Sequence, residues 1–130
     1  MYRLHKYEKL CSRTAIELIF SEGSSAIAYP LRAAYRVHDT AEGDKPTVRF
    51  YVSIPKKKIR TAVERVLLRR RTREAYRLNH AELSDAATAA GKDVDVAFMY
   101  LSNNLHPYSE IEDRMKGLLG KIKKSLGGEQ

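Results

Sequence analysis

TVRFYVSIPKKKIRTAVERVLLRRRTREAYRLNH, residues 47–80, changes its hydrophobic period once, and that change decides the architecture. Val48, Phe50, Val52 and Ile54 alternate with Thr47, Arg49, Tyr51 and Ser53, the period of a strand with one buried face. Pro55 closes the strand, and the pattern beyond it predicts a long helix from about Thr61 to His80. On that helix Arg65, Arg69, Arg73 and Arg77 follow an i, i+4 track, with Arg70 at the edge of the same arc. Val63, Leu67, Leu68, Ala75 and Leu78 are expected to supply the face that docks on a sheet.

The charge of the chain is concentrated there. Ten basic side chains lie between Pro55 and His80 against Glu64 and Glu74, while the other residues carry 14 basic and 14 acidic groups. The whole net charge of +8 therefore belongs to one segment. It is either a solvated ionic face or a ridge built to grip phosphate. Like charges at i, i+4 destabilise a helix by roughly 0.2–0.5 kcal/mol per pair. A run that is one-signed and sorted onto one arc in spite of that cost favours the ridge. Arginine suits the task, because its planar fork holds two phosphate oxygens. Lys56, Lys57, Lys58 and Arg60 extend the ridge into the loop, where the N–H groups of the helix start also attract anions.

Outward from this unit the chain alternates between helix and strand. Thr14 and Glu17 form a capping-box pattern, and Ile16, Ile19 and Phe20 predict a short helix over about 15–22 that Gly23 stops. Ile27, Tyr29, Leu31, Ala33, Tyr35 and Val37 alternate with Ala28, Pro30, Arg32, Ala34 and Arg36 as one strand, with Pro30 near its start or on an edge. This run is expected to pair antiparallel with the strand over 48–54. Ala81 to Ala90 continues or restarts the long helix, and Val94, Val96 and Phe98 mark a third strand. Ser109 and Glu112 signal a last helix, which carries Ile111, Met115, Leu118, Leu119, Ile122 and Leu126 and stops at Gly127-Gly128. The expected fold is a single α/β sandwich over residues 1–130, order α-β-β-α-β-α, with the arginine helix in a βαβ crossover.

Composition narrows the function. With 43% apolar and 31% charged residues the chain buries a core beneath an ionic surface. Cys11 is the one cysteine, which excludes an internal disulfide and a multi-cysteine zinc site and fits a cytoplasmic location. His5, His38, His80 and His106 lack metal-type spacing, and no phosphate-binding glycine loop or H-E-x-x-H motif is present. The opening residues lack a signal-peptide pattern, and no run approaches the ~18 apolar residues of a membrane span. Asp93, Asp95, Glu110, Glu112 and Asp113 are the acidic residues that a stand-alone nuclease would have to use, although capping and helix-dipole preferences account for the last three. Cys11 is a weak nucleophile candidate.

Ser53-Ile54-Pro55-Lys56-Lys57-Lys58, Ala62-Val63-Glu64-Arg65 and Arg69-Arg70-Arg71-Thr72-Arg73-Glu74-Ala75-Tyr76-Arg77 together resemble the bacterial ribonuclease P protein component. That family has a strand ending in S-V-S-K-K and a helix reading roughly A-V-x-R-N-R-x-K-R-x-x-R-E-A-F. Leu10, the helix over 16–20, Gly23 and the stretch 31–35 fall where the family has its first helix and strand. Here the R-N-R core reads Arg65-Val66-Leu67, and the glycine usual after S-K-K is absent from a loop one residue longer.

The resemblance implies a left-handed crossover around the basic helix and a protein that assists a catalytic RNA in removing the 5′ leader of precursor tRNA. It implies that the RNA performs the hydrolysis with Mg²⁺, that no side chain of the protein is catalytic, and that the partners are that RNA and the leader. Lys56, Lys57, Lys58, Arg60, Arg65, Arg69, Arg70, Arg73 and Arg77 would contact RNA. Phe20 and Tyr35, or its neighbour Ala34, would line a leader cleft, where aromatic faces stack on bases without reading sequence. Tyr51, with Arg32, Arg36 and Arg49, lies on the opposite face of the paired strands from Tyr35, and alternation leaves open which face is the cleft. Core packing is an equal alternative for Phe20, Tyr29 and Tyr35. A generic RNA-associated domain with no part in cleavage is the alternative function.

Overall fold

The structure is a computed structural model that describes residues 13–126; Cys11, Leu10 and the Gly127-Gly128 stop signal lie outside them. The elements are α1 (Arg13–Glu22), β1 (Ser24–Ala28), β2 (Leu31–Asp39), β3 (Val48–Ser53), α2 (Ala62–Asn79), α3 (Ala81–Ala90), β4 (Lys92–Tyr100) and α4 (Tyr108–Leu126). The strands form one mixed sheet in the order β1-β2-β4-β3. The α/β sandwich expected from sequence is therefore present, with one more strand than the periodicity showed.

The additional strand comes from the run over 27–37, which is a hairpin and not a single strand. Ala28 pairs with Leu31 across a turn at Tyr29-Pro30. Proline has no N–H to give a ladder, so the alternating pattern breaks there and the chain reverses.

The expected pairing of the first two runs is also corrected, because β4 lies between them. It runs antiparallel to β2 and parallel to β3, with Phe50 opposite Val96 and Tyr51 opposite Ala97. Val94 to Phe98 is buried without interruption, as the middle strand of a sheet covered on both sides must be. The link from β3 to β4 through α2 and α3 is a parallel crossover.

Two layers of unequal size cover the sheet. Leu31, Ala33, Val48, Phe50, Val52, Val94, Val96, Phe98 and Tyr100 pack beneath α2, α3 and α4 in the main core. Tyr76 of α2 stacks on Phe50, ring centroids 4.2 Å apart, and tilts over Phe98. On the other face, among the described residues, α1 contributes the lid, Ile19 over Ala34 and Ala97, with Ile16 and Met99 beside them. Among the described residues this one helix cannot cover four strands, so part of the face is left open by them.

Neither capping box forms as expected. Arg13, the first described residue, is already helical and α4 starts at Tyr108, which puts Thr14 and Ser109 inside their helices. At α4 the Pro107 carbonyl accepts the first N–H groups, from Glu110 and Ile111, both at 3.2 Å.

Candidate nucleic-acid interface

The loop between β3 and α2 is pinned at both ends by buried isoleucines, Ile54 and Ile59. The turn between them closes through the Pro55 carbonyl, which accepts N–H from Lys58 and Ile59, each at 3.1 Å. Lys56, Lys57 and Lys58 are thereby pushed into solvent, and Arg60 follows them. Burial of the flanking apolar residues thus presents the cationic ones.

Helix geometry then sorts the arginines. Successive members of an i, i+4 track advance by about 40° around the axis. The buried stripe is Leu68, Thr72, Ala75 and Tyr76, so Arg65 starts beside the core and Arg77 ends far from it. The expected docking face is corrected accordingly: Leu68 and Ala75 are in it, but Val63 is 76% exposed and Leu67 is 37% exposed. They lie on the outward side, next to Val66 and Arg70.

The nine cations assigned to RNA from sequence are therefore not equivalent. Arg65 is half-buried, and its Nη1 donates to the carbonyls of Ile59 at 3.0 Å and Arg60 at 2.7 Å. It clamps the lysine loop to the helix rather than pointing outward. Arg77 forks onto Glu74, with Nε to Oε1 at 2.9 Å and Nη2 to Oε2 at 2.6 Å. Arg71 is likewise occupied, donating to the His106 carbonyl at 2.6 Å. For Arg69, Arg70 and Arg73 no acidic partner is found among the described residues. Together with the solvent-facing Lys56, Lys57, Lys58 and Arg60 they are the cations of this segment left for an anionic partner.

The α1 face of the sheet is the second surface. Ladder register places Arg32, Met99 and Ser53 in one row, then Ala34, Ala97 and Tyr51, then Arg36, Asp95 and Arg49. Tyr51 is 39% exposed, and Phe20 on α1 is 53% exposed. Tyr35 belongs elsewhere: it packs against the three-helix core, and its hydroxyl meets Ser125 Oγ on α4 at 3.0 Å. The structure thus brings Phe20 and Tyr51 to one open face and takes Tyr35 away from it. Strand parity already grouped Tyr51 with Arg32, Arg36 and Arg49; only the position of α1 shows that this face is the open one.

The acidic residues are engaged in structural roles. Asp93 Oδ1 accepts from Thr40 Oγ1 at 3.0 Å and from the Thr47 N–H at 2.9 Å, holding the β3 entry to β4. Glu112 accepts from Asn79 and Tyr108. His106 lies between Ser102 Oγ at 2.9 Å and Glu110 Oε1 at 2.6 Å, an order that suggests a hydrolytic triad. Ser102 is buried, however, and its Oγ accepts the Asn104 N–H, so the three residues brace the loop before α4. Among the described residues no three His, Cys, Asp or Glu side chains are grouped to hold a metal ion. No described helix is long and apolar enough to cross a membrane.

Comparison with known proteins speaks to family and fold. A family model described as Ribonuclease P matches residues 4–123. The ribonuclease P protein component of Porphyromonas gingivalis is 36% identical over 121 residues, covering 93% of this chain and 87% of that relative. The solved ribonuclease P protein of Staphylococcus aureus has a TM-score of 0.67 at 16% identity, covering 89% of this chain and 95% of its own. That of Thermotoga maritima has a TM-score of 0.67 at 21% identity, with 88% and 96% covered. At such identities the two structures speak for the fold, and the family model and the closer relative speak for kinship. The chain belongs to the ribonuclease P protein family, whose members are the protein components of an endoribonuclease of transfer-RNA processing.

Proposed function

We propose that the two surfaces divide the work of the subunit. The cationic surface of Lys56, Lys57, Lys58, Arg60, Arg69, Arg70 and Arg73 binds the catalytic RNA. The open sheet face between Phe20 and Tyr51 holds the single-stranded 5′ leader of precursor tRNA. Arg65 and Arg77 support the first surface, one by bracing the loop and the other through its pair with Glu74. The observation that carries this reading is the freedom of Arg69, Arg70 and Arg73 from acidic partners among the described residues, on a helix whose other arginines are engaged.

Phosphate contacts release counterions, and stacking on an aromatic face does not discriminate among bases. The first surface therefore supplies salt-dependent affinity, and the second supplies tolerance of leader sequence. Magnesium is assigned to the RNA, where it supports the hydrolysis. The acids on the sheet face do not suit it, since Asp93 is taken by two donors and Asp95 by Arg49 and His38. This chain's own share is binding and orientation.

The test mixes the protein with precursor tRNA, with and without the catalytic RNA, at limiting Mg²⁺. Cleavage that needs both components supports the assignment. RNA binding that leaves cleavage unchanged would favour an RNA-associated domain without a part in the reaction, and cleavage by protein alone would overturn the assignment.

A further inference from the structure

Asp95 is a carboxylate only 1% exposed, in the middle of the central strand, on the face assigned above to the leader. Burying a charge costs several kcal/mol unless it is paired and hydrogen-bonded. Here it is paired from both sides. Arg49 on β3 gives Nε to Oδ1 at 3.0 Å and Nη2 to Oδ2 at 3.2 Å, and His38 on β2 places Nε2 3.2 Å from Oδ2. This fork uses the side edge of the guanidinium and leaves Nη1 of Arg49 with no partner among the described residues. Both partner side chains remain partly exposed.

An ion pair buried this deeply is a poor source of stability, since apolar residues of similar volume often do as well or better. What it does supply is a fixed direction for a long side chain. Arg49 and Tyr51 are two residues apart on β3, on the same face, about 6.6–6.8 Å from one another along the strand. A base resting on Tyr51 brings its neighbouring phosphate to the level of Arg49. Beyond Ser53, in the other direction, the strand runs into the lysine turn.

We propose that Arg49 is a leader-phosphate contact, and that Asp95 and His38 are positioning residues that hold its guanidinium beside Tyr51. The inference rests on the leader-cleft reading and adds a phosphate position to it. Preorganisation is the advantage: a guanidinium already fixed by its fork loses little freedom when it takes up a phosphate oxygen.

The experiment measures affinity for precursor tRNA with a leader relative to leaderless tRNA, in the complex with the catalytic RNA. Arg49→Lys keeps the charge but cannot both fork onto Asp95 and reach a phosphate. It should lower the leader preference about tenfold, the worth of one charge-assisted hydrogen bond. Asp95→Asn should lower it similarly, and the double variant should lose no more than either alone, as expected of coupled residues. A neutral methylphosphonate at one leader position should cost the wild type the same factor and cost these variants nothing further. His38→Gln serves as the second probe of positioning where Asp95→Asn lowers the melting temperature too far, and a partial loss is expected. Full leader preference and undiminished methylphosphonate sensitivity in Arg49→Lys and Asp95→Asn would overturn the proposal, as would tighter leader binding in Asp95→Asn. If Tyr51→Ala and Phe20→Ala also leave the preference intact, the cleft reading itself fails. If those two lose it while the Arg49 and Asp95 variants keep it, only the phosphate position fails.

Discussion

Arg65 is folded back onto the loop that precedes its own helix, with Nη1 2.7 Å from the carbonyl oxygen of Arg60. A second bond from the same nitrogen reaches Ile59, so one guanidinium ties the lysine turn to the first turns of α2. The arginine in the middle of the family-like motif is thus a brace.

That separates two kinds of arginine substitution. Arg70→Ala and Arg73→Ala should weaken binding to the catalytic RNA and make the slope of log affinity against log salt shallower by roughly 0.7–0.9 per lost phosphate contact. Arg65→Ala should instead lower stability by about 1–3 kcal/mol, as loss of charge-assisted hydrogen bonds does, and move the slope less. Salt titrations alongside denaturant melts check both.

Leu67 stands where the family pattern has a second arginine, and it faces outward beside Arg70. Leu67→Arg should therefore add a phosphate contact, tightening RNA binding and steepening the salt slope by roughly 0.7–0.9. The same titration reads it.

Tyr51→Ala and Phe20→Ala should each reduce the preference for leader-bearing substrate by a factor corresponding to about 1–3 kcal/mol per stacked base. Tyr35→Phe removes the bond to Ser125 on the opposite face and should leave that preference unchanged. Competition binding with leaders of different length is the measurement.

Gly23 joins α1 to β1 by a close approach of backbones. A Cβ there would fall inside contact distance of the Ile19 and Tyr35 carbonyl oxygens. Gly23→Ala should therefore destabilise the chain by about 1–3 kcal/mol, the usual cost of overpacking, and shift α1 relative to β2. Denaturant melts give the first effect, and weakened leader preference gives the second.

Tyr108 packs beneath α2, and its hydroxyl donates to Glu112 Oε2 at 3.2 Å. Desolvation first, and then the Glu112 charge, push its pKa up to about 12. Between the ordinary tyrosine value of ~10 and this one, the folded chain keeps a proton that the unfolded chain releases, so stability falls as pH rises through that window. Below it the contribution is fully present. Burial also raises the Tyr100 phenol, so absorbance titration should show late phenols of which one disappears in Tyr108→Phe.

Much of the local structure was legible in the sequence. The β3–α2 unit, the break at Pro55, the alanine-rich α3 and the apolar stripe of α4 all follow from short-range periodicity and from residues that stop helices. The docking face of α2 was legible only in part, because Thr72 and Tyr76 carry the burial that Val63 and Leu67 were expected to carry. A threonine satisfies its hydroxyl on the Leu68 carbonyl at 2.8 Å and so enters the core at little cost, which an apolar pattern does not register.

The sequence by itself determined where the charge lies, which segments are helix or strand, and the kinship with ribonuclease P proteins, because all three are written in neighbouring residues. Only the tertiary structure decided that β4 enters between β2 and β3, that α1 covers one sheet face and leaves Tyr51 open, and that Tyr35 faces the other way. It also decided which arginines are occupied, since Arg71 finds its acceptor 35 residues away and Arg49 its carboxylate 46 residues away. Such partners are brought together by strand pairing and core packing, and the spacing of residues along the chain carries no record of them.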